Sequence, residues 1–329
     1  MNDPLEITDR RRLEELLAAR ETGQACRIDE AEMCKSLKSR VRGQDHVIDE
    51  VVRFIRLQWA KQERKKPVAN LLFLGPTGTG KTELAKAMAG YLFGDEKNML
   101  LFDCSDFSGP EGKTRLIGTP TGYVGADAGG QLTRPVLNNP RRLIVFDEVE
   151  KAWPGVFDLF LSMMGDGRLT EQGSGKAADF TQCVIVLTSN AEQDALSAIQ
   201  RQVHDPHEQV DAIKKHLRDC KVFRPEVIGR FDKICVFRPL EGIVLAEIAA
   251  LKMRNLAAEY GVELQYVDPE LILEAMEKGR KLQDFGAREL ERVVGELLGE
   301  PMLAAKEAGA KRIAVTLDEE GDLRIDPAD

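Results

Sequence analysis

Apolar positions along this chain fall into two textures, short continuous runs and one-faced stripes. Leu71–Leu74, Met99–Phe102, Leu143–Phe146, Val184–Leu187 and Ile234–Phe237 are unbroken apolar runs, of a length suited to strands covered on both faces. Helix-like segments or glycine-rich loops separate them, so the pattern predicts an α/β fold with a parallel five-stranded sheet. Ahead of the first run, Val47, Val51, Phe54 and Ile55 share one helical face, which predicts a long amphipathic helix over Gln44–Lys65 leading into Pro67. Shorter polar helices are expected around Leu13–Ala19 and Ala31–Leu37. From Leu240 the texture changes to amphipathic helices over Glu241–Tyr260 and Gly286–Ala308, with two β-like runs, Val262–Val267 and Arg312–Leu317. The expected organisation is a short helical extension (1–40), a large α/β unit (41–238) and a small, mainly helical unit (239–329).

The first apolar run leads into Gly75-Pro76-Thr77-Gly78-Thr79-Gly80-Lys81-Thr82 and then a helical segment from Glu83 to Ala89. G-x-x-x-x-G-K-T between a strand and a helix is the pattern of a phosphate-binding loop. Its glycines let backbone N–H groups approach phosphate oxygens, and the helix N-terminus adds a partial positive charge. Lys81 adds a full charge, and the Thr82 hydroxyl is placed to ligate Mg²⁺. The plain alternative is a glycine turn with an exposed lysine, which the strand and helix flanks disfavour. A nucleoside triphosphate is the expected ligand. Leu143–Phe146 ends in Asp147-Glu148. Asp147 is expected to share the Mg²⁺ with Thr82, and Glu148 to polarise an attacking water. Gly75, Asp147 and Asn190 all fall at the carboxyl ends of predicted strands, where ligands of such sheets bind.

Composition narrows the picture. The chain has 329 residues, 43% hydrophobic and 31% charged, enough for one large domain and a smaller one. A net charge of −9 counts against broad nucleic-acid binding; the basic Lys61–Lys66 stretch reads as the solvated end of a helix. Six cysteines, Cys26, Cys34, Cys104, Cys183, Cys220 and Cys235, show no C-x-x-C spacing, so reduced thiols are expected before disulfides or zinc ligands. His204 and His207 are expected in a loop. No run is long and apolar enough for a membrane span, and a cytoplasmic location is the expectation.

Val41-Arg42-Gly43-Gln44-Asp45, GPTGTGKTELAKAMA, LIGTPTGYVG, VFDEVEKA, DGRLT and DFGAREL together resemble the AAA+ module of the Clp unfoldases, most of all the second ATPase module of ClpB and its ClpA counterpart. The resemblance covers about residues 38–326. It implies an AAA+ P-loop ATPase using ATP and Mg²⁺, with Val41 and Arg42 beside the adenine and Gly75–Glu83 around the phosphates. It implies Asn190 as sensor 1 and Arg288 as sensor 2, reaching from the small unit. Arg230 matches the arginine finger that enters a neighbouring copy's site, although a lone arginine there is ordinarily a surface residue. Tyr123 and Val124, between Gly122 and Gly125, match the pore loop that contacts protein substrates; read without the resemblance, Tyr123 is an ordinary loop anchor. Asp166–Thr170 and the following GSGKAAD resemble the secondary pore loop.

Departures from the family matter equally. About 40 residues stand where an N-domain and another ATPase module are found, and no coiled-coil middle domain is present. No Ile-Gly-Leu tripeptide occurs between Asn190 and Phe223, which counts against a ClpP partnership. Thr121 replaces a common proline. The expected function is a single-ring, hexameric ATP-driven protein unfoldase or remodeller that threads polypeptide through its pore. The alternative is an AAA+ switch or assembly factor that does not thread substrate; a nucleic-acid motor is disfavoured by the acidic charge.

Overall fold

The computed structural model describes residues 28–123, 125–203, 205–280, 286–318 and 323–327; the helix expected at Leu13–Ala19, and Cys26, Val124 and His204, lie outside them. Helices α1 (Glu30–Arg40) and α2 (Asp45–Trp59) precede strand β1 (Ala69–Leu74) and helix α3 (Lys81–Phe93). Strand β2 (Met99–Asp103) is followed by helices α4 (Glu111–Ile117) and α5 (Thr133–Asn138), then strand β3 (Leu143–Asp147) and helix α6 (Val156–Asp166). A hairpin, β4 (Arg168–Thr170) and β5 (Ala177–Asp179), stands before β6 (Val184–Ser189). Helices α7 (Gln193–Gln202), α8 (Pro206–Asp219) and α9 (Pro225–Ile228) lead to β7 (Lys233–Val236).

β2, β3, β6, β1 and β7 lie side by side in that order, every neighbouring pair parallel. All five apolar runs therefore enter one parallel sheet. Because side chains alternate across a strand, each central run feeds two cores. Leu72, Leu74, Ile144, Phe146, Ile185 and Leu187 face a layer that includes Phe160 and Met163 of α6. Leu71, Phe73, Leu143, Val145, Val184 and Val186 face Ile48 and Ile55 of α2 and Leu84 and Met88 of α3. Burial on both faces explains why these runs lack the polar alternation of a half-exposed strand.

The chain continues through helix α10 (Gly242–Glu259), strand β8 (Glu263–Val267), helices α11 (Pro269–Arg280) and α12 (Ala287–Glu307), and strands β9 (Arg312–Leu317) and β10 (Leu323–Pro327). β9 pairs in parallel with β8 and antiparallel with β10. Leu245 and Met253 of α10, Leu271 of α11, Leu290 and Leu298 of α12, and Ile313 and Val315 of β9 form a third apolar cluster.

Several expectations change. Helix α2 stops at Trp59 and not Lys65, because the Arg64 guanidinium folds back to donate to the carbonyls of Gln58 and Trp59, at 3.2 and 2.7 Å. Those are carbonyls a helix end leaves without internal partners. Helix α1 packs on the α/β unit, with Met33 and Leu37 fully buried in the layer of α2 and α3. His207 lies within α8, not in a loop.

Phe146 is fully buried, stacked on Phe102 at 5.3 Å between ring centroids and tilted against Phe160 at 4.6 Å. Phe146→Ala is expected to destabilise the protein by about 3–5 kcal/mol, measured as a lowered urea midpoint with an unchanged slope. A loss below about 1 kcal/mol would contradict the packing described for this layer.

Candidate functional site

The carboxyl ends of β1, β3 and β6 open onto a single cleft. The β1–β6 register sets Leu74 opposite Ser189, and the β3–β6 register sets Phe146 opposite Leu187. Gly75 and Asn190, which follow β1 and β6, and Asp147, which ends β3, therefore emerge at one edge of the sheet.

The Gly75–Thr82 loop takes its shape from left-handed glycines: Gly75, Gly78 and Gly80 have φ of 137°, 74° and 100°. At Gly75 a Cβ would stand 2.6 Å from the Phe237 carbonyl oxygen, and at Gly78 2.9 Å from Gly286 Cα. No larger residue fits either place without displacing backbone. Gly80 is the N-cap of α3 and offers no side-chain cap, so the first N–H groups of that helix are open to an anion. Lys81 is almost completely buried, and its ammonium donates to the carbonyls of Gly75 and Pro76 at 2.7 and 2.8 Å. Burial pushes its pKa down to about 8, against the pull of Asp147, Glu150 and Glu148. A partly desolvated cation at a helix N-terminus with uncapped N–H groups fits a polyanion.

Acidic groups stand across from it. Thr82 Oγ1 lies 3.5 Å from Asp147 Oδ2, and Thr188 donates its hydroxyl proton to Asp147 Oδ1. Thr188 Oγ1 in turn accepts from the Glu148 N–H at 3.2 Å. Glu148 has φ of 53°, a left-handed conformation uncommon outside glycine that turns the chain sharply after β3. Lys151 Nζ donates to Glu148 Oε2 at 2.6 Å, and Asn190 Nδ2 reaches Glu148 Oε1 at 3.5 Å and Thr77 Oγ1 at 3.3 Å. Glu150 accepts from the Asn190 N–H at 3.4 Å through Oε1, while its buried Oε2 has no hydrogen-bond partner. A hydroxyl and carboxylates beside an unpartnered buried carboxylate oxygen form a hard-oxygen donor set, the kind Mg²⁺ prefers. Pro76 and Thr77 also wall a cavity of about 410 Å³ with Gln193, Asp194, Ser197, Arg201 and Pro239.

Of the residues singled out in the sequence, Gly75–Thr82, Asp147, Glu148 and Asn190 come together here. Val41 is buried, and a Cβ on Gly80 would meet its Cγ1 at 3.2 Å. Arg42 is exposed beside it. The Glu83 carboxylate is not turned over to the phosphate loop: Arg40 holds it at 2.6 Å. Arg288 is exposed in the first turn of α12, and the Ala287 N–H before it donates to the Gly78 carbonyl at 3.0 Å. Arg230 is exposed outside the cleft, its guanidinium over Gly165 of α6, where a Cβ would meet Cζ at 2.8 Å. Tyr123 is 71% exposed on a separate loop.

Two members of the site, Thr188 and Glu150, are not singled out by the sequence pattern, and the bonding role of Gln44, within the segment that resembles an adenine-binding one, is not visible there. Thr188 was hidden as the polar residue inside VIVLTSN, where a hydroxyl one step before the strand end was the available signal. Glu150 was hidden behind Asp147 and Glu148. Gln44 is fully buried; its amide reaches the Thr79 carbonyl at 3.4 Å and the Arg238 carbonyl at 2.9 Å, and accepts from the Arg238 N–H at 3.0 Å. It ties the Val41–Gln44 segment to the phosphate loop, which spacing alone does not reveal.

The depressed Lys81 pKa has a definite consequence for stability. Below about pH 8 the lysine is charged both folded and unfolded, so folding carries the whole cost of burying the charge. As pH rises from there towards the ordinary lysine value of 10.5, that cost disappears. The fall from 10.5 to about 8 corresponds to about 3 kcal/mol. In nucleotide-free protein, the stability of wild type relative to Lys81→Met is expected to rise by up to that amount between pH 7 and the lysine range. Urea melts of both proteins across that pH range measure it, and a flat difference would refute the buried-charge account.

The sequence profile of the family described as AAA domain (Cdc48 subfamily) matches residues 66–234. The chaperone protein ClpB of Aquifex aeolicus is 39% identical over 290 residues, covering 84% of this chain and 28% of that protein. The negative regulator of genetic competence ClpC/MecB of Bacillus subtilis is 38% identical over 269 residues, covering 78% and 33%. The chloroplastic chaperone protein ClpC2 of Arabidopsis thaliana is 34% identical over 308 residues, covering 89% and 32%. The chain thus spans about a third or less of the length of these relatives. The profile match, the relatives and the parallel sheet with its phosphate loop place the chain in the AAA domain family, Cdc48 subfamily, as a member of the Clp group of AAA+ ATPases.

Proposed function

We propose that this chain hydrolyses ATP with Mg²⁺ in a ring of copies, a hexamer in the simplest form, and uses the energy to unfold or remodel proteins. The observation that carries the reading is the meeting of Lys81, Thr82, Asp147, Glu148 and Asn190 at one edge of the sheet. The loop N–H groups and Lys81 bind the phosphates, and Val41 and Arg42 flank the base. Thr82 and Asp147 hold Mg²⁺, which supplies neutralising charge to the triphosphate oxygens. Glu148 takes the proton of the attacking water as general base, and Asn190 orients Glu148 and the water through its amide. In the resting protein Lys151 holds the Glu148 carboxylate, so that contact must loosen before Glu148 can serve as base.

Arg230 lies outside the cleft of its own chain, while Arg288 is exposed one residue beyond the Ala287–Gly78 hydrogen bond. Arg230 belongs in this reading to the site of a neighbouring copy, where a guanidinium offsets charge developing on the phosphoryl group. Arg288 belongs in this reading to the same chain's site, where it reaches the phosphates from the 239–329 unit. Tyr123, with Gly122 and Gly125 at φ of 96° and 90° beside it, is free to press its ring on any passing polypeptide. The missing Ile-Gly-Leu tripeptide supports action without a ClpP-type peptidase.

Glu148→Gln is expected to lower ATP turnover by about 10²–10⁴-fold while nucleotide binding persists, read by phosphate release and by a fluorescent nucleotide. Arg230→Ala is expected to lower turnover by about 10³-fold or more with binding retained; wild-type turnover by that variant would refute the shared site. Tyr123→Ala is expected to keep its ATPase and lose unfolding of a tagged fluorescent substrate. Equal unfolding by Tyr123→Ala and wild type would leave the non-threading switch as the better reading.

A further inference from the structure

Beyond the phosphate cleft, one group of metal-ligating side chains converges among the described residues, and no family motif contains it. Glu192 is the N-cap residue of α7, while His216 lies in the last turn of α8 and Cys220 immediately follows that helix. The spacing of four residues sets His216 and Cys220 on one face of the helical turn. Glu192 has φ of 58°, a left-handed backbone that an ordinary residue adopts only where its surroundings impose it.

Donor atoms of these residues form a compact triangle. His216 Nε2 lies 2.9 Å from Glu192 Oε2, Cys220 Sγ lies 3.6 Å from the same oxygen, and Cys220 Sγ lies 3.5 Å from His216 Nε2. The imidazole Nε2 thus faces the carboxylate oxygen, with the thiol close to both. Around tetrahedral zinc, with Zn–N and Zn–O of about 2.0–2.2 Å and Zn–S of about 2.3 Å, neighbouring donors stand about 3.3–3.6 Å apart. The sulfur separations are of that size, but Sγ also lies 3.9 Å from His216 Nδ1, so the thiol stands beside the ring and the exposed Cys220 side chain must swing towards the Nε2 edge to share an ion. Cys220 is free and exposed, and His216 and Glu192 are partly exposed, so an ion has a path to the site.

We propose that Glu192, His216 and Cys220 form a zinc-binding site that fastens the start of α7 to the end of α8. The set joins a soft thiolate, an imidazole and a carboxylate, which suits a borderline ion such as Zn²⁺ and not Mg²⁺ or Ca²⁺. Binding exchanges the His216–Glu192 hydrogen bond for two metal bonds: the neutral imidazole shifts its proton from Nε2 to Nδ1 through solvent, freeing Nε2 to ligate, and the Cys220 thiol proton is released to solvent. Three protein ligands leave a fourth position for water. Glu192 stands two residues beyond Asn190, so the site borders the phosphate cleft without sharing a side chain with it. The sequence did not reveal the set because Glu192 is 24 residues from His216, and no C-x-x-C marks it.

The test uses the full chain and metal alone, and needs no ATPase activity. Titration of reduced, metal-free protein with Zn²⁺ in competition with a chromogenic chelator is expected to give one site per chain, with a dissociation constant tighter than about 10 μM. Cys220→Ser and His216→Ala are each expected to weaken binding by at least about 10-fold, while Cys26→Ser/Cys34→Ser leaves it unchanged. Co²⁺ is expected to give a thiolate-to-metal absorption band that Cys220→Ser abolishes. Zinc is also expected to raise the melting midpoint of wild type and not of Cys220→Ser. Binding weaker than that limit overturns the proposal, and so does an affinity untouched by Cys220→Ser when circular dichroism shows both proteins folded.

Discussion

Parallel register is the constraint on which the cleft depends. Leu74 pairs with Ser189 and Phe146 with Leu187, so three strands end together and release Gly75, Asp147 and Asn190 at one edge. A slip of one residue in β6 would send Ile185 and Leu187 to the opposite core and move Asn190 away from Glu148. The two apolar layers hold the register by accepting alternate side chains from each strand. Hydrophobic packing remote from the cleft thus decides which residues meet within it.

Within that frame the cleft is a balance of buried charge. Lys81 loses hydration and gains two loop carbonyls in exchange, yet its pKa still falls. Asp147, Glu148 and Glu150 pull in the opposite direction without restoring it. The cation therefore sits in a partly unfavourable setting that an anionic ligand relieves, the condition for strong differential binding of polyphosphate. Asp147 is placed by the Thr188 hydroxyl and Glu148 by Lys151 and Asn190. These hydrogen bonds orient the carboxylates before any ligand arrives, which limits the reorganisation needed at the reacting centre.

Close backbone contact joins the phosphate loop to the region beyond Pro239. Gly78 and Gly286 leave no room for a Cβ between them, and the Ala287 N–H donates to the Gly78 carbonyl. Gly43 lies equally close to Val244, where a Cβ would stand 2.5 Å from the Val244 side chain. Gln44 connects the same loop to Arg238. Displacement of Gly78 by a bound phosphate would be felt at the start of α12, because the two backbones already meet there.

The five strands of the main sheet, β8 and β9, the phosphate loop, the acidic strand end and the two long helices of the last third were legible in the sequence, because each is a local matter, whereas the β4–β5 hairpin was not. A run such as Leu143–Phe146 has no face to show water, and a left-handed loop before Lys81 demands glycine. Local pattern could not reveal Thr188, Glu150 and Gln44, whose roles arise from residues far away along the chain, nor the folding back of Arg64 that ends α2. It also separated Glu192 from His216 and Cys220, and it left α11 and β10 unmarked. Sequence determined which segments must be buried and which turn must cradle an anion, since those follow from side-chain polarity and backbone freedom at single positions. Only tertiary structure decided which polar groups meet, because hydrogen bonds and metal geometry depend on distances that sheet register and helix packing alone establish.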